Sequence, residues 1–124
     1  MSRWTMLTDD FADTFVAGWL RDWNAHDLEA LLSHYTDDVT FSSPLAVRLL
    51  PGSDGVARGK DALRAYWTAG LAALPDLRFE VLDHFVGVET LVIRYRNQNG
   101  GVVCEVLEFR DGLVARGHGT YQRP

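Results

Sequence analysis

The chain has 124 residues, 47% hydrophobic and 23% charged, and its 12 Lys and Arg against 17 Asp and Glu give a formal net charge of -5. That size supports a single domain, residues 1–124, with a core that needs no staples. No apolar run reaches the about 20 residues of a membrane span, arginines scattered over an acidic chain make no stripe for nucleic acid, and one cysteine, Cys104, excludes an internal disulfide and any cysteine-built metal site.

The opening, Met1 to Leu7, runs straight into Thr8-Asp9-Asp10 without the apolar stretch of a secretory signal, so a cytoplasmic location is expected, with neither membrane nor nucleic acid as partner. Thr8 suits a helix N-cap and Asp9 and Asp10 its first turn, and Phe11, Phe15, Val16, Trp19, Leu20 and Trp23 recur at helical spacing. The spacing predicts an amphipathic helix of roughly four turns. After Asn24-Ala25-His26, Asp27 opens a shorter helix with Leu28, Leu31, Leu32 and Tyr35 on one face, which Asp37-Asp38 ends before a short strand over residues 39–41. Residues 42–59 hold Pro44, Pro51, Gly52, Gly55 and Gly59 and read as a long irregular loop, more often functional than idle. A third helix over residues 60–74 presents Leu63, Tyr66, Trp67 and Leu71 and stops before Pro75. From Leu77 the period changes to two, giving strands over residues 77–86, 90–96, 102–110 and 113–121. Three helices followed by an antiparallel meander bury their apolar stripes by lying on one face of the sheet, an α+β architecture.

Two turn signals set which residues meet. With Asp111-Gly112 as a two-residue hairpin turn, Glu105 lies across from His118; with Asn99-Gly100 as another, Arg94 lies across from Glu105. Opposed side chains share a face with Cβ atoms about 4.5–5.5 Å apart. Arg94, Glu105 and His118 then form one row over three strands, on a face shared with Val92, Arg96, Val103, Leu107 and Arg116, while Leu91, Ile93, Tyr95, Cys104, Val106, Ala115 and Gly117 take the other. A bulge at Gly101 or Gly112 would slip the register by one residue and turn a side chain over. Periodicity alone sends the apolar set to the core and leaves the charged row in water, as a ladder of ion pairs worth about 0.2–1 kcal/mol each.

The strings Asn24-Ala25-His26-Asp27-Leu28, His34-Tyr35-Thr36-Asp37-Asp38-Val39-Thr40-Phe41, Arg58-Gly59-Lys60-Asp61-Ala62-Leu63, Leu74-Pro75-Asp76-Leu77 and Glu108-Phe109-Arg110-Asp111-Gly112-Leu113-Val114 cover nearly the whole chain. In this order they resemble the nuclear transport factor 2-like superfamily, in its SnoaL-like and ketosteroid isomerase-like branch. The resemblance implies a cone-shaped cystatin-like fold, three N-terminal helices packed on a strongly curved antiparallel sheet that encloses a pocket, and a homodimer through the convex sheet face. It also implies that the charged row lines the pocket and that a second subunit covers the apolar set. Ketosteroid isomerases use a carboxylate base after the first strand, a tyrosine of the first helix and a sheet aspartic acid; those positions fall here on Ser43, Trp19 and Glu105, and a serine does not accept a proton at neutral pH as a carboxylate does. Members similar to limonene-epoxide hydrolase set an arginine between two aspartates, where this chain has Arg94 with Arg96 and His118. SnoaL-like cyclases carry an acid/base residue at about the place of His118.

The expectation is His118 as general acid/base, oriented by Glu105, with Arg94 polarising an oxygen. Trp19, Phe41, Trp67, Leu107 and Phe109 would form an apolar wall, with Ser43, Arg96 and Arg116 as further ligand contacts. No metal or other cofactor is expected: His26, His34 and His84 stand at no spacing that builds a metal site with His118 and read as surface or capping residues, and Asp37-Asp38 as turn residues. Two functions stay open. One is binding of a small, mostly apolar organic molecule, with cofactor-free isomerisation, cyclisation or dehydration by proton transfer; the other is a non-catalytic module for a ligand or a protein partner.

Overall fold

The structure, a computed structural model, describes residues 7–124; residues 1–6, on which the reading of the opening rests, lie outside the described residues. Helix α1 (Asp9–Asn24) starts as its sequence dictates, with Thr8 Oγ1 accepting from Phe11 N at 3.0 Å, and it buries Ala12, Phe15, Val16, Trp19 and Trp23. It ends at Asn24 with Ala25 as its C-cap, and His26 then takes the left-handed conformation at φ 58° and places Nε2 2.9 Å from the Leu77 carbonyl. Asn24 Nδ2 donates to the Phe79 carbonyl at 3.0 Å while its Oδ1 accepts from Phe79 N at 2.7 Å. The Asn24-Ala25-His26 string therefore tethers the end of α1 to the segment that enters the sheet. Asp27 caps the short α2 (Leu28–Leu32) by accepting from Ala30 N at 3.1 Å.

Two expectations for the middle of the chain are corrected. The first strand, β1 (Tyr35–Ser42), begins four residues before the expected 39, so Tyr35 is a strand residue and Asp37 and Asp38 are not turn residues but exposed strand positions near Lys60 (3.5 Å) and Arg110 (2.8 Å). The cause is the early stop of α2 at Leu32, after which the strand-favouring Tyr35, Thr36, Val39, Thr40 and Phe41 pair with the sheet. Residues 42–59 are also not wholly irregular: they hold a single turn, α3 (Ala46–Leu49), and a short strand, β2 (Val56–Arg58), paired antiparallel to β1 with Ala57 opposite Phe41. Helix α4 (Lys60–Ala73) follows and buries Leu63, Tyr66 and Trp67.

The remaining strands are β3 (Glu80–Val86), β4 (Thr90–Arg96), β5 (Val102–Arg110) and β6 (Leu113–Tyr121). They join β1 and β2 in one six-stranded sheet of order β2-β1-β6-β5-β4-β3, antiparallel except where β1 runs parallel to β6. Register shifts interrupt the β1/β6, β3/β4 and β5/β6 ladders, and each bulge bends and twists its strand. The sheet curls around α1 and α4, the α+β cone that the resemblance implied, with the core on its concave side. Among the described residues no helix is long and apolar enough to cross a membrane.

Register decides the site, and it differs from expectation at both turns. Between β4 and β5 the loop is one residue longer than a two-residue turn: Asn97 N donates to the Gly101 carbonyl at 2.8 Å, Gly100 sits at φ 82°, and Asn97 Oδ1 accepts from Asn99 N (3.0 Å) and Gly101 N (2.9 Å). Arg94 therefore opposes Cys104, and Glu105 opposes Ile93. Between β5 and β6 the Asp111-Gly112 turn is the expected one, with both residues at positive φ, but the ladder shifts between Glu108 and Phe109, leaving Ala115 as the extra residue. Beyond it Glu105 opposes Gly119 and His118 opposes Val106. The three-residue row of Arg94, Glu105 and His118 does not form. The concave face instead carries Leu91, Ile93, Tyr95, Val103, Glu105, Leu107, Phe109 and Gly117.

Candidate functional site

Inside the cone lies a cavity of about 230 Å³. Trp23 of α1, Phe41 of β1, Tyr66 and Trp67 of α4, Phe79, and Tyr95 of β4 wall it; Ser43, Tyr121 and Glu105 contribute polar atoms, and the turn residues Asn97, Gln98 and Asn99 stand with Arg48 at its open end. The aromatic rings brace one another, with centroids 4.4 Å apart for Phe79 and Tyr95, 5.0 Å for Trp23 and Trp67, and 5.1 Å for Trp19 and Tyr95. Such pairs add about 0.5–1.5 kcal/mol each beyond the burial of their area, so the wall is a rigid one.

Glu105 is the one carboxylate of this wall, and it is 5% exposed. Burial pushes its carboxyl up to about 7; the Trp19 indole and the Tyr95 hydroxyl offset part of that by favouring the ionised form. Tyr95 Oη donates to Oε1 across a long 3.5 Å. Glu105 Oε2, Trp19 Nε1 and Tyr35 Oη are buried without completing hydrogen bonds. Burial also raises the hydroxyls of Tyr35, Tyr66, Tyr95 and Tyr121, helped in each case by the nearby Glu105 charge, so all four stay neutral donors near pH 7. A carboxyl that exchanges its proton near neutrality, set among neutral hydroxyls in an apolar enclosure, can take a proton from a carbon acid or donate one to an oxygen.

The expected site residues divide between the two faces. Glu105, Phe41, Ser43 and Trp67 line the cavity, and Trp19 lies behind Glu105 at 2% exposure. Leu107 and Phe109 are on the same face but outside the cavity wall, Phe109 packing edge-on to Phe11 and Phe15 with centroids 5.6 and 5.1 Å apart. His118 and Arg94 face outward, away from Glu105, because of the two register shifts. His118 places Nδ1 2.6 Å from Ser42 Oγ and Nε2 3.5 Å from Glu108 Oε2. Arg94 holds Asp83 in a two-pronged bond of 2.8 and 2.7 Å, which keeps the Asp83 carboxyl below the usual range. Arg96 bonds the Gly100 carbonyl at 3.1 Å and Arg116 lies 3.9 Å from Glu108, both at the surface. Cys104, which periodicity alone sent to the core with the apolar set, is a half-buried free thiol on the outer face. Among the described residues no three His, Cys, Asp or Glu side chains gather to hold a metal ion.

Tyr95, Phe79, Trp23 and the polar mouth of Arg48 and Gln98 belong to the cavity but do not stand out in the sequence. A signal for Tyr95 was present. In β5 the alternate residues Val103, Glu105, Leu107 and Phe109 form an apolar row with one carboxylate in it, and in β4 the matching row is Leu91, Ile93 and Tyr95. Aligning those rows puts Glu105 opposite Ile93 and brings Tyr95 to its side.

The family model of the SnoaL-like domain matches residues 16–117. A SnoaL-like protein of unknown function from Burkholderia thailandensis is 38% identical, with 96% of this chain and 100% of that one covered and a TM-score of 0.89. TerC, co-crystallised with polyporic acid, matches at 15% identity and TM-score 0.74 over 90% of this chain and 92% of that one. A putative polyketide cyclase from Sinorhizobium meliloti matches at 16% identity and TM-score 0.71 over 91% and 95%. Likeness at those two identities shows the fold alone, the one also described as cystatin-like. No curated protein matches this sequence. With a family match over most of its length and a close structural relative over nearly all of it, the chain belongs to the SnoaL-like domain family.

Proposed function

We propose that this protein binds a flat, mostly apolar organic molecule in its cone and moves a proton on it without a cofactor, in an isomerisation, aldol-type cyclisation or dehydration. The observation that carries this reading is Glu105, the cavity's one carboxylate, buried and held at about 7. That replaces His118, which faces outward, as the acid/base residue. Tyr95 is the neighbouring donor for an oxygen that gains charge as the proton leaves carbon. The aromatic wall supports an organic ligand of this kind, as does the fold neighbour described as a putative polyketide cyclase. Exchange of the C1 protons of 2-tetralone for deuterium near neutral pD, followed by NMR, tests it. Native protein is expected to accelerate the exchange, Glu105→Gln to lose about 10²-fold or more, and His118→Ala to retain it; equal exchange by native protein and Glu105→Gln would show that Glu105 transfers no proton and favour a non-catalytic binding module.

The homodimer expected through the outer sheet face belongs to the same proposal. Phe85, 55% exposed, sits opposite Val92, which sits opposite Val106, an apolar strip across three strands. Sedimentation is expected to give a dimer that Phe85→Glu dissociates, and the mass of one chain for the native protein would remove the idea.

A further inference from the structure

The cavity wall holds two charged residues at different depths. Glu105 is buried, and Arg48 of α3 is exposed at the mouth beside the β4–β5 turn. Among the described residues the Arg48 side chain makes no ion pair and no hydrogen bond; Arg21, Arg64, Arg94, Arg96, Arg110 and Arg116 each lie against a carboxylate, and of the arginines that do not, Arg48 is the one on the cavity wall. Gln98 supplies an independent second observation: its Oε1 is buried in the cavity wall without a hydrogen-bond partner, while the neighbouring Asn97 Oδ1 is already occupied by Asn99 N and Gly101 N. A guanidinium without a partner, beside a largely aromatic wall, complements an anionic oxygen pair at one end of a flat apolar body, while the orphan Gln98 Oε1, an acceptor, complements a hydroxyl or N–H donor on the ligand. The chain's net charge of -5 opposes an anion at long range. Charges beyond about 8 Å are screened at physiological salt, so the contact at Arg48 decides.

We propose that the ligand is a planar aromatic carboxylic acid, held by its carboxylate on Arg48 at the mouth with its other end toward Glu105. The proposal rests on the cavity being the ligand site and adds the substrate class and the direction of entry. Arg48 is then a binding and specificity residue: it decides which end of the molecule reaches Glu105, and hence which carbon is presented for proton transfer.

Trp23 and Trp67 line the cavity, so quenching of tryptophan fluorescence reads occupancy. The full chain is titrated with 2-naphthoate and with 2-naphthalenemethanol, which share a ring system and differ in charge. Native protein is expected to bind the carboxylate about tenfold more tightly. In Arg48→Gln that preference disappears through weaker carboxylate binding, with the alcohol's affinity held within about threefold, while Glu105→Gln keeps the preference. Equal affinities in the native protein, a preference that survives Arg48→Gln, or one lost in Glu105→Gln would overturn the assignment to Arg48, and binding of the alcohol would leave the cavity reading intact. Quenching by neither compound would overturn both.

Discussion

Glu105→Gln is expected to be more stable than the native chain above neutral pH, by about 3 kcal/mol at about pH 8. Burial raises the folded-state carboxyl from 4.5 to about 7. Between those values the folded state binds the extra proton, so the native chain keeps its full stability below about pH 4.5 and loses it as pH rises through about 7. The rise from 4.5 to about 7, at about 1.4 kcal/mol for each tenfold change in proton affinity, sets the size of the loss. Glutamine keeps the shape of the side chain and never ionises, so the variant lacks this slope. Urea unfolding at about pH 5 and about pH 8 reads the effect; a native chain equally stable at both, or a variant with the same slope, would contradict it. Together with the expected loss of proton transfer, the substitution separates what Glu105 does for folding from what it does for chemistry.

Gly117→Ala is expected to cost about 1–3 kcal/mol through overpacking and to narrow the cavity. A Cβ at this position would stand 2.5 Å from Phe41 Cδ2 and 2.7 Å from Cε2. The Phe41 ring is 3% exposed and packs on Tyr66 and Trp67 with centroids 6.5 and 5.8 Å away, so the space it can retreat into is the cavity itself. Because Phe41 is part of the cavity wall, moving it costs ligand affinity as well as stability. Thermal unfolding and a titration with 2-naphthalenemethanol check both halves; an unchanged melting temperature would mean that β1 and β6 separate more easily than their parallel pairing suggests.

The division into helices and strands was legible because it rests on local chemistry: Thr8 and Asp27 as caps, the helical spacing of Phe15, Trp19 and Trp23, and the alternation from Leu77 onward. The location of the site was legible only in part. Glu105 was identified, but its partners depended on counting residues through two turns, and one added loop residue at Gln98 to Gly100 and one bulge at Ala115 each turned a neighbouring strand by one position. His118 and Arg94 passed to the outer face as a result, and Tyr95 took their place. Turn composition alone does not distinguish a two-residue turn from a three-residue loop followed by a glycine, whereas matching the buried rows of adjacent strands does, because an interior carboxylate with no apolar row beside it would carry its desolvation cost without a core to occupy. The β1–β6 parallel pairing was not legible, since it joins strands some 70 residues apart with no turn between them to announce it.

The measurement closest to the central claim is a titration of the Glu105 side-chain carboxyl carbon by NMR in the native protein, with Glu105→Gln to assign the signal. A midpoint near 7, accompanied by a shift in the Tyr95 ring signals at the same pH, is the predicted result. A midpoint at or below about 4.5, the value of a glutamate in water, would show that the carboxyl is ionised and solvated at neutral pH and would contradict the buried acid/base site.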